Sequence, residues 1–569
     1  MQATHVRPAP VPVSFPALDM LRSERNLVGV HIASALIALT VGIFMGPFQA
    51  FHRAPAFAKT FIGQIPVFSY YYQAVTVHGV MLALFFTTLF IVGFSYYVVQ
   101  RSLQRPIKGV RFAWVAFALM LIGLALLVFS LANDVQRSAV LYTFYPPMIA
   151  PAVFYIGLVL LVVGSWIAAF LVFWTYNSWR KDHPGERVPL AVFAIIVNFL
   201  MWFISSLGVA VEVLFMLLPA SLGWIQTTDP QVARALFWFF GHPLVYFWLI
   251  PAYVSWYTML PKQAGGRLFS DPLARVAFIM LLLFSIPVGV HHMYADPGVS
   301  QVAKFVHAFL TFTVAVPSFM TAFNIGASLE IASRNNGGRG IVGFFLKQRW
   351  NDPVVAAQLV GMLLFLAGGI TGLMNASAQI NITLHNTSWV PGHFHTTLGG
   401  GVTMTFFGIL YWLLPMLRGR ALFSKKAALA QAFTWLVGMA LFGFSMGEAG
   451  LNGAPRRADL AAAPYISTEA GMWLNGAAIG GMILLVSVVL LFVNIIGTLF
   501  FSNKPVEVEA PIQTKVEEPS PAIFERWRVW IAIVVVLCLF AWGPVFAEVL
   551  DFNAGFNAIP YTTSGAPLR

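Results

Sequence analysis

Thirteen apolar segments run through this chain, each long enough to cross a lipid bilayer as a helix. Their approximate limits are 26–48, 69–99, 109–131, 149–177, 188–220, 231–260, 273–294, 302–333, 353–376, 385–416, 428–451, 468–501 and 526–550. A hydrocarbon core about 30 Å thick needs about 20 residues of helix, and lipid offers nothing to satisfy a more open backbone. The expected fold is therefore an all-α polytopic membrane protein of about 13 transmembrane helices in a single bundle. Composition agrees: the 569 residues are 59% hydrophobic and 9% charged, a surface that water could not keep dispersed. The expected organisation is an N-terminal segment over 1–25, a twelve-helix core over 26–501, an acidic Pro-rich linker over 502–525, and a thirteenth helix with its tail over 526–569. The Pro-rich N-terminus lacks the short apolar core and cleavage site of a signal peptide, so the first helix is expected to stay as an anchor.

Basic residues orient the bundle. The N-terminal segment and the loops that follow even-numbered helices hold 25 of the 33 Lys and Arg, leaving 8 for the other side. The N-terminus is therefore expected in the cytoplasm and the C-terminus outside. The net charge of +12 belongs to loops beside anionic lipid, and nothing in it points to nucleic acid. A single cysteine, Cys538, excludes internal disulfides and thiolate clusters, so a metal would need nitrogen or oxygen ligands.

Twelve histidines then become the informative residues. With the orientation above, His78 on the second helix and His242 on the sixth lie roughly ten residues below the outer surface, about 15 Å at 1.5 Å per residue. His291 and His292 close the seventh helix at its outer end, and His393 and His395 open the tenth from the same side. Six imidazoles thus share one depth without nearby carboxylates, a pattern that favours a metal, and neutral imidazole suits copper, iron and zinc. His31 and His307 read as hydrogen-bonded packing residues.

Helix geometry divides the set. Residues two apart point roughly 200° apart, so His393 and His395 cannot ligate one ion and must serve two centres. His291 and His292 diverge by about 100° on a regular helix and can converge if the helix is distorted, for which Pro287 supplies a kink. His242 and Tyr246 are four apart, which places a phenol one turn inward from the imidazole.

The motifs "GHPLVY", "HHMYADPG", "WVPGHFH" and the upstream "YYYQAVTVHG" resemble, in order and on the same helices, subunit I of the heme-copper oxygen reductases. The details are similar to the B family, the ba-type cytochrome c oxidases: Leu244 stands where the A family has Glu. The resemblance implies that His78 and His395 are the axial ligands of a low-spin heme b and that His393 binds a high-spin heme, expected to be a-type. It also implies that His242, His291 and His292 hold the copper ion CuB, with Tyr246 covalently joined to His242. The activity implied is a cytochrome c oxidase that reduces dioxygen to water and translocates protons in a bacterial or archaeal cell membrane. Electrons would come from cytochrome c through a subunit II carrying CuA, because this chain has no Cys pair of its own.

Protons must cross the inner half of the membrane. Tyr246, Tyr253 and Tyr257 recur at spacings of seven and four along the sixth helix, and the eighth adds Ser318 and Thr321. Such residues usually satisfy local hydrogen bonds, but they match the B-family proton path, with Ser270 at its inner end. Asn324 stands where that path has threonine, and an amide relays protons less readily than a hydroxyl. On the outer side Arg456 and Arg457 match propionate-binding arginines, whose paired guanidiniums suit carboxylates. His385 fits the same region, whereas Asn381 replaces an expected Asp. Glu212 is an isolated intramembrane acid, expected to be neutral and hydrogen-bonded. Two other readings are a nitric oxide reductase, disfavoured by Tyr246 and by the lack of glutamates around the histidines, and a proton channel or transporter without hemes.

Overall fold

The computed structural model describes residues 22–60, 70–459, 465–506, 512–516 and 518–555. Most of the N-terminal segment and most of the C-terminal tail lie outside these residues. Among the described residues, thirteen helices are long and apolar enough to span a membrane. They are α1 (Glu24–Arg53), α2 (Tyr71–Leu103), α3 (Val110–Asn133), α4 (Ala152–Asp182), α5 (Leu190–Ser221), α6 (Pro230–Thr258) and α7 (Asp271–Met293). The rest are α8 (Gln301–Asn335), α9 (Pro353–Ala376), α10 (Trp389–Arg418), α11 (Lys425–Leu451), α12 (Thr468–Phe501) and α13 (Trp527–Asp551). Sequence-adjacent helices pack as pairs, α3 with α4, α5 with α6 and α11 with α12, as short connections favour. Among the described residues, two isolated β-bridges, Thr387 to Pro455 and Arg420 to Pro505, interrupt the helical pattern.

Burial separates the helices that build the interior from those that face lipid. The most apolar stretch is 83% buried in α10 and 78% in α2, α5 and α6, against 28% in α8 and 22% in α13. The histidine-bearing helices α2, α6 and α10 therefore lie at the centre, where an ionisable group can find protein partners.

Three departures from regular α-helix position the site. The regular part of α7 stops at Ser285, and His291 and His292 sit in a separate 3-10 turn, Val290–Met293. The expected kink at Pro287 is thus a full break, because proline removes a backbone donor and crowds the preceding turn. A Cβ on Gly289 would lie 2.6 Å from the Trp238 carbonyl oxygen and 2.7 Å from the Trp542 ring, so glycine alone lets the turn approach α6 and α13. In α2 a π-helical segment, Val80–Phe86, begins just after His78. In α10 another, His395–Val402, begins at His395. Such wide turns cluster at functional sites.

A buried cation holds the end of the linker to the core just before α13. Arg275 on α7 is fully buried and donates to Asp271 Oδ1 at 2.6 Å, to Glu525 Oε1 at 3.3 Å and to the Val188 carbonyl at 2.6 Å. Glu525 also accepts from Val188 N–H at 3.0 Å. Glu525→Ala would leave the Arg275 charge half-compensated in a dry site, a loss of about 3–5 kcal/mol for breaking a buried pair. The expected outcome is a lower melting temperature of the purified protein and faster proteolytic cutting between residues 502 and 525. An unchanged cutting rate would show that the linker is held by something else.

Candidate metal and cofactor site

A histidine buried in an apolar bundle needs a partner for each ring nitrogen. His78 Nδ1 donates to the Gly42 carbonyl at 2.9 Å, and His395 Nδ1 donates to the Pro391 carbonyl at 2.8 Å. Both tautomers are thereby fixed, and each Nε2 carries a free lone pair. The two rings face each other nearly parallel, 12° apart, with centroids separated by 5.9 Å. That gap is too wide for ring stacking and fits an axial pair about a planar macrocycle. Close approach depends on Gly46, where a Cβ would lie 2.9 Å from His78 Cε1.

His393 turns the other way. Its Nδ1 donates to the Gly368 carbonyl at 3.0 Å and lies 2.9 Å from Thr371 Oγ1 on α9. Thr371 gives its own proton to Gly368 at 2.7 Å, so toward His393 it acts as acceptor. Gly372 leaves room for the ring, since a Cβ there would lie 3.0 Å from His393 Cε1. His393 and His395 thus turn to different neighbours, the one to α9 and the other to His78.

His242, His291 and His292 converge. Their ligand nitrogens all lie within 4.8 Å of one another, a spacing suited to one shared ion. The Nε2 atoms of His242 and His292 are buried with no hydrogen-bond partner, an arrangement costly without a ligand. His291 Nδ1 is 3.0 Å from Thr311 Oγ1, which donates onward to the His307 carbonyl at 2.6 Å and so accepts from the imidazole. Trp238 stacks flat on His292, with centroids 3.7 Å apart at 7°. Tyr246 lies beside His242, with ring centroids 5.2 Å apart.

One cavity of about 860 Å³ connects both histidine groups. It is lined by His78, His395, His393, His242, His291 and His292, and it continues past Tyr246 to Tyr253, Ser318 and Thr321. Tyr257 donates to Thr321 Oγ1 at 2.8 Å, and Tyr253 faces Ser318 and Thr321. Ser270 and Asn324 are joined to each other instead. The Ser270 N–H donates to Asn324 Oδ1 at 3.1 Å, and Asn324 Nδ2 donates to the Ser270 carbonyl at 2.7 Å. Asn324 thus clamps a loop, the physical meaning of its departure from threonine.

At the outer end Arg456, Arg457, His385 and Asn381 line the same cavity. Arg456 donates to Asn386 Oδ1 at 2.7 Å, while Arg457 donates to the Tyr142 hydroxyl at 2.6 Å and to Thr143 at 3.2 Å. Both guanidiniums spend these bonds on neutral oxygens, so two cations remain for an anionic group. Burial, with Arg457 adding, pushes Arg456 down to about 10, which leaves it charged at neutral pH. Burial first and the Arg456 cation second push His385 down to about 4, so its ring is neutral. His385 Nδ1 lies 3.2 Å from Asn381 Oδ1, and its Nε2 is buried without a partner.

Sequence reasoning missed several of these residues. Trp238 sits four before His242 on α6, a helical spacing that could have revealed it. Thr311 and Thr371 gave no signal, because a membrane threonine usually bonds only its own helix. Arg53, buried and donating to Ser388 Oγ at 3.1 Å, sits below the outer arginines and was also passed over. His31 and His307 are packing residues, bonded to the Leu27 and Ala541 carbonyls at 2.8 and 3.0 Å. Glu212 differs from expectation: it is fully buried, and neither carboxyl oxygen has a hydrogen-bond partner among the described residues.

Residues 26–483 match the family model "Cytochrome C and Quinol oxidase polypeptide I". The chain is 40% identical over 549 residues to the cytochrome c oxidase subunit 1 of Thermus thermophilus, covering 94% of this chain and 96% of that protein. It is 25% identical over 410 residues to a quinol oxidase subunit 1 of Sulfolobus acidocaldarius, covering 68% of this chain and 74% of that protein. Among solved structures, a heme-copper terminal oxidase dimer superposes with a TM-score of 0.88 at 36% identity, over 96% of each chain.

The Thr311 contact carries a prediction. Thr311→Val keeps the volume and removes the acceptor that orients His291, and loss of such an outer partner weakens metal binding by about 10–100-fold. Metal content of the purified protein after dialysis against a mild chelator should fall accordingly. Full retention would show that packing alone orients the ring.

Proposed function

The chain belongs to the cytochrome c and quinol oxidase polypeptide I family, and from that premise we propose that it is the oxygen-reducing subunit of a B-type, ba-type, cytochrome c oxidase. It is a multi-pass membrane protein of the heme-copper oxidase fold. The observation that carries the reading is the single cavity in which a three-histidine cluster faces His393 while His395 turns away to meet His78. Three centres with different ligand sets fit this arrangement: low-spin heme b between His78 and His395, a high-spin heme of a-type on His393, and copper on His242, His291 and His292. When bound, the high-spin heme and copper supply electrons and open coordination positions for dioxygen, and the bis-histidine heme relays electrons to them.

The protein's own residues do the rest. Buried carbonyls on Nδ1 hold His78, His393 and His395 in the tautomer that presents Nε2. Tyr246, one turn inward from His242, holds at its phenol oxygen a proton and an electron for cleavage of the O–O bond. Protons reach it from the cytoplasmic side along Ser270, Tyr257, Thr321, Tyr253 and Ser318, with Asn324 holding the loop at the inner end. Arg456, Arg457 and the neutral His385 hold heme propionates. Apolar helices keep water out, which strengthens each of these interactions. The excess of Lys and Arg in the loops of one side supports a cytoplasmic N-terminus and an outer C-terminus, with a subunit II carrying CuA to deliver electrons from cytochrome c. Proton uptake on one side and dioxygen chemistry in the outer half suit coupled proton pumping.

Three measurements test this. Pyridine hemochrome analysis with copper quantitation should give two hemes and one CuB per chain beyond any copper in subunit II. Non-heme iron in place of that copper would turn the assignment to a nitric oxide reductase, and absence of heme bands would leave only a proton-conducting protein. Tyr246→Phe should lower oxygen consumption by at least about 10²-fold, the lower end for a positioned proton donor, with both hemes still bound. Normal turnover in that variant refutes the role. His395→Ala should remove the low-spin heme spectrum and leave the high-spin one, and loss of both would mean the residue is needed for folding alone.

A further inference from the structure

The cavity that holds the histidines also opens sideways. α9 packs on α10 and α11, while the half of α8 beyond Ala315 packs on α7 and on a short helix, Gly340–Leu346. A seam is left between α8 and α9. Phe319, Leu363, Leu366 and Ile370 line the cavity there and are themselves exposed on the side of the bundle, so the seam is open to lipid. Gly326 on α8 and Gly369 on α9 line it too, and a Cβ on either would meet nothing within 4 Å. The hydroxyls of Ser318 and Thr321 on this stretch donate to their own helix, so the walls present mostly hydrocarbon. From Leu359 to Ile370 the lining of α9 rises about 17 Å at 1.5 Å per residue. One leaflet's share of a hydrocarbon core about 30 Å thick is about 15 Å, so the seam has the length of a single acyl chain's path.

One end of the seam is polar and positive. It closes on the short helix, whose Phe344 and Phe345 line the cavity together with Gln348 and Trp350. Ile341, Val342, Phe345 and Leu346 are exposed, and so are the flanking Arg339 and Lys347. Apolar and basic side chains so combined hold a helix in the plane of the membrane surface. The nearby carboxylates are already engaged: Glu330 accepts from Arg334 at 2.7 Å, and Asp352 caps α9 by accepting from Val354 and Val355 N–H. Among the described residues no carboxylate pairs with Arg339 or Lys347. Gln348 gives its amide hydrogens to the Leu329 and Phe344 carbonyls at 3.1 and 2.8 Å, and its Oε1 is buried without a donor. A buried acceptor of this kind calls for a partner.

We infer that the seam between α8 and α9 binds an anionic phospholipid with a hydroxylated headgroup, of the phosphatidylglycerol class. One acyl chain lies along the seam past Gly326 and Gly369, the phosphate sits by Arg339 and Lys347, and a headgroup hydroxyl donates to Gln348 Oε1. The paired cations select the anionic headgroup, and burial of the chain supplies affinity. The bound lipid closes the side of the cavity that the helices leave open.

The test uses the purified complex in lipid-free detergent, titrated with phosphatidylglycerol or phosphatidylcholine and read by native mass spectrometry at equal heme content. The parent should bind phosphatidylglycerol several-fold more tightly than phosphatidylcholine. Arg339→Gln combined with Lys347→Gln should bring phosphatidylglycerol down to the level of phosphatidylcholine. Gly326→Leu, which puts a side chain into the open seam and leaves every charge in place, should weaken binding of both lipids several-fold. Equal binding of the two lipids by the parent, or unchanged phosphatidylglycerol binding in the double variant, overturns the charged site. A loss in the double variant with none in Gly326→Leu moves the contact to the helix surface and overturns the seam. A parent that takes up neither lipid shows the seam filled by a partner's helix or by a hydrocarbon substituent of the high-spin heme, and overturns the proposal outright.

Discussion

The features of this bundle that bear on function follow from one constraint: a neutral imidazole placed in hydrocarbon is costly to leave with a ring nitrogen unpartnered. Water is not there to take up the remainder, and an orphaned polar atom in a dry interior costs about 1–3 kcal/mol. The chain meets the constraint asymmetrically. One nitrogen of His78, His393 and His395 is committed to a backbone carbonyl, and the other is left facing the cavity. A helix carbonyl is free to accept from outside only where the helix is irregular or where it takes a second bond. The need to orient imidazoles and the presence of wide or broken turns beside them are thus two sides of one requirement.

The same constraint explains what could be read from the sequence. Thirteen spans were legible because hydropathy over about 20 residues is a strong signal, and α1 to α13 fall where the apolar segments do. The partition of His393 from His395 was legible because a two-residue step is unambiguous on any helix. The break of α7 was only half legible. Pro287 announced a disturbance, but its extent was set by Gly289, Trp238 and Trp542, which meet from three distant parts of the chain. Thr311 and Thr371 were invisible, since their value lies in which helix they face, and α8 and α9 are brought to the histidines only by the whole bundle.

Asn324 shows how a departure in sequence becomes informative once placed. As a letter it looked like a weakened proton relay. In the fold its amide oxygen and one amide hydrogen are both engaged by the backbone of Ser270, a two-point grip made through two separate atoms. The inner loop is therefore held by a side chain on α8, and the linker that carries Glu518 and Glu525 closes over it from α12. Three separate stretches of sequence meet at this loop, which is why no local motif announced it. Glu212 is the contrasting case, a carboxyl buried on α5 for which the described residues supply no hydrogen-bond partner and the oxidase reading no task.

The wide turn that opens at His395 has a further effect on how α10 can vary. A π-helical stretch holds more residues per turn than the α-helix on either side, so the azimuth of everything beyond Val402 is offset from that of the ligand-bearing end. The histidine-bearing end is phased by the carbonyls that hold His393 and His395 and the other end by its neighbours, and the stretch absorbs the difference. Substitutions along Thr403–Arg418 can follow the packing of the inner bundle without turning either imidazole, whereas a one-residue deletion in the glycine run would couple the two ends and swing one against the other.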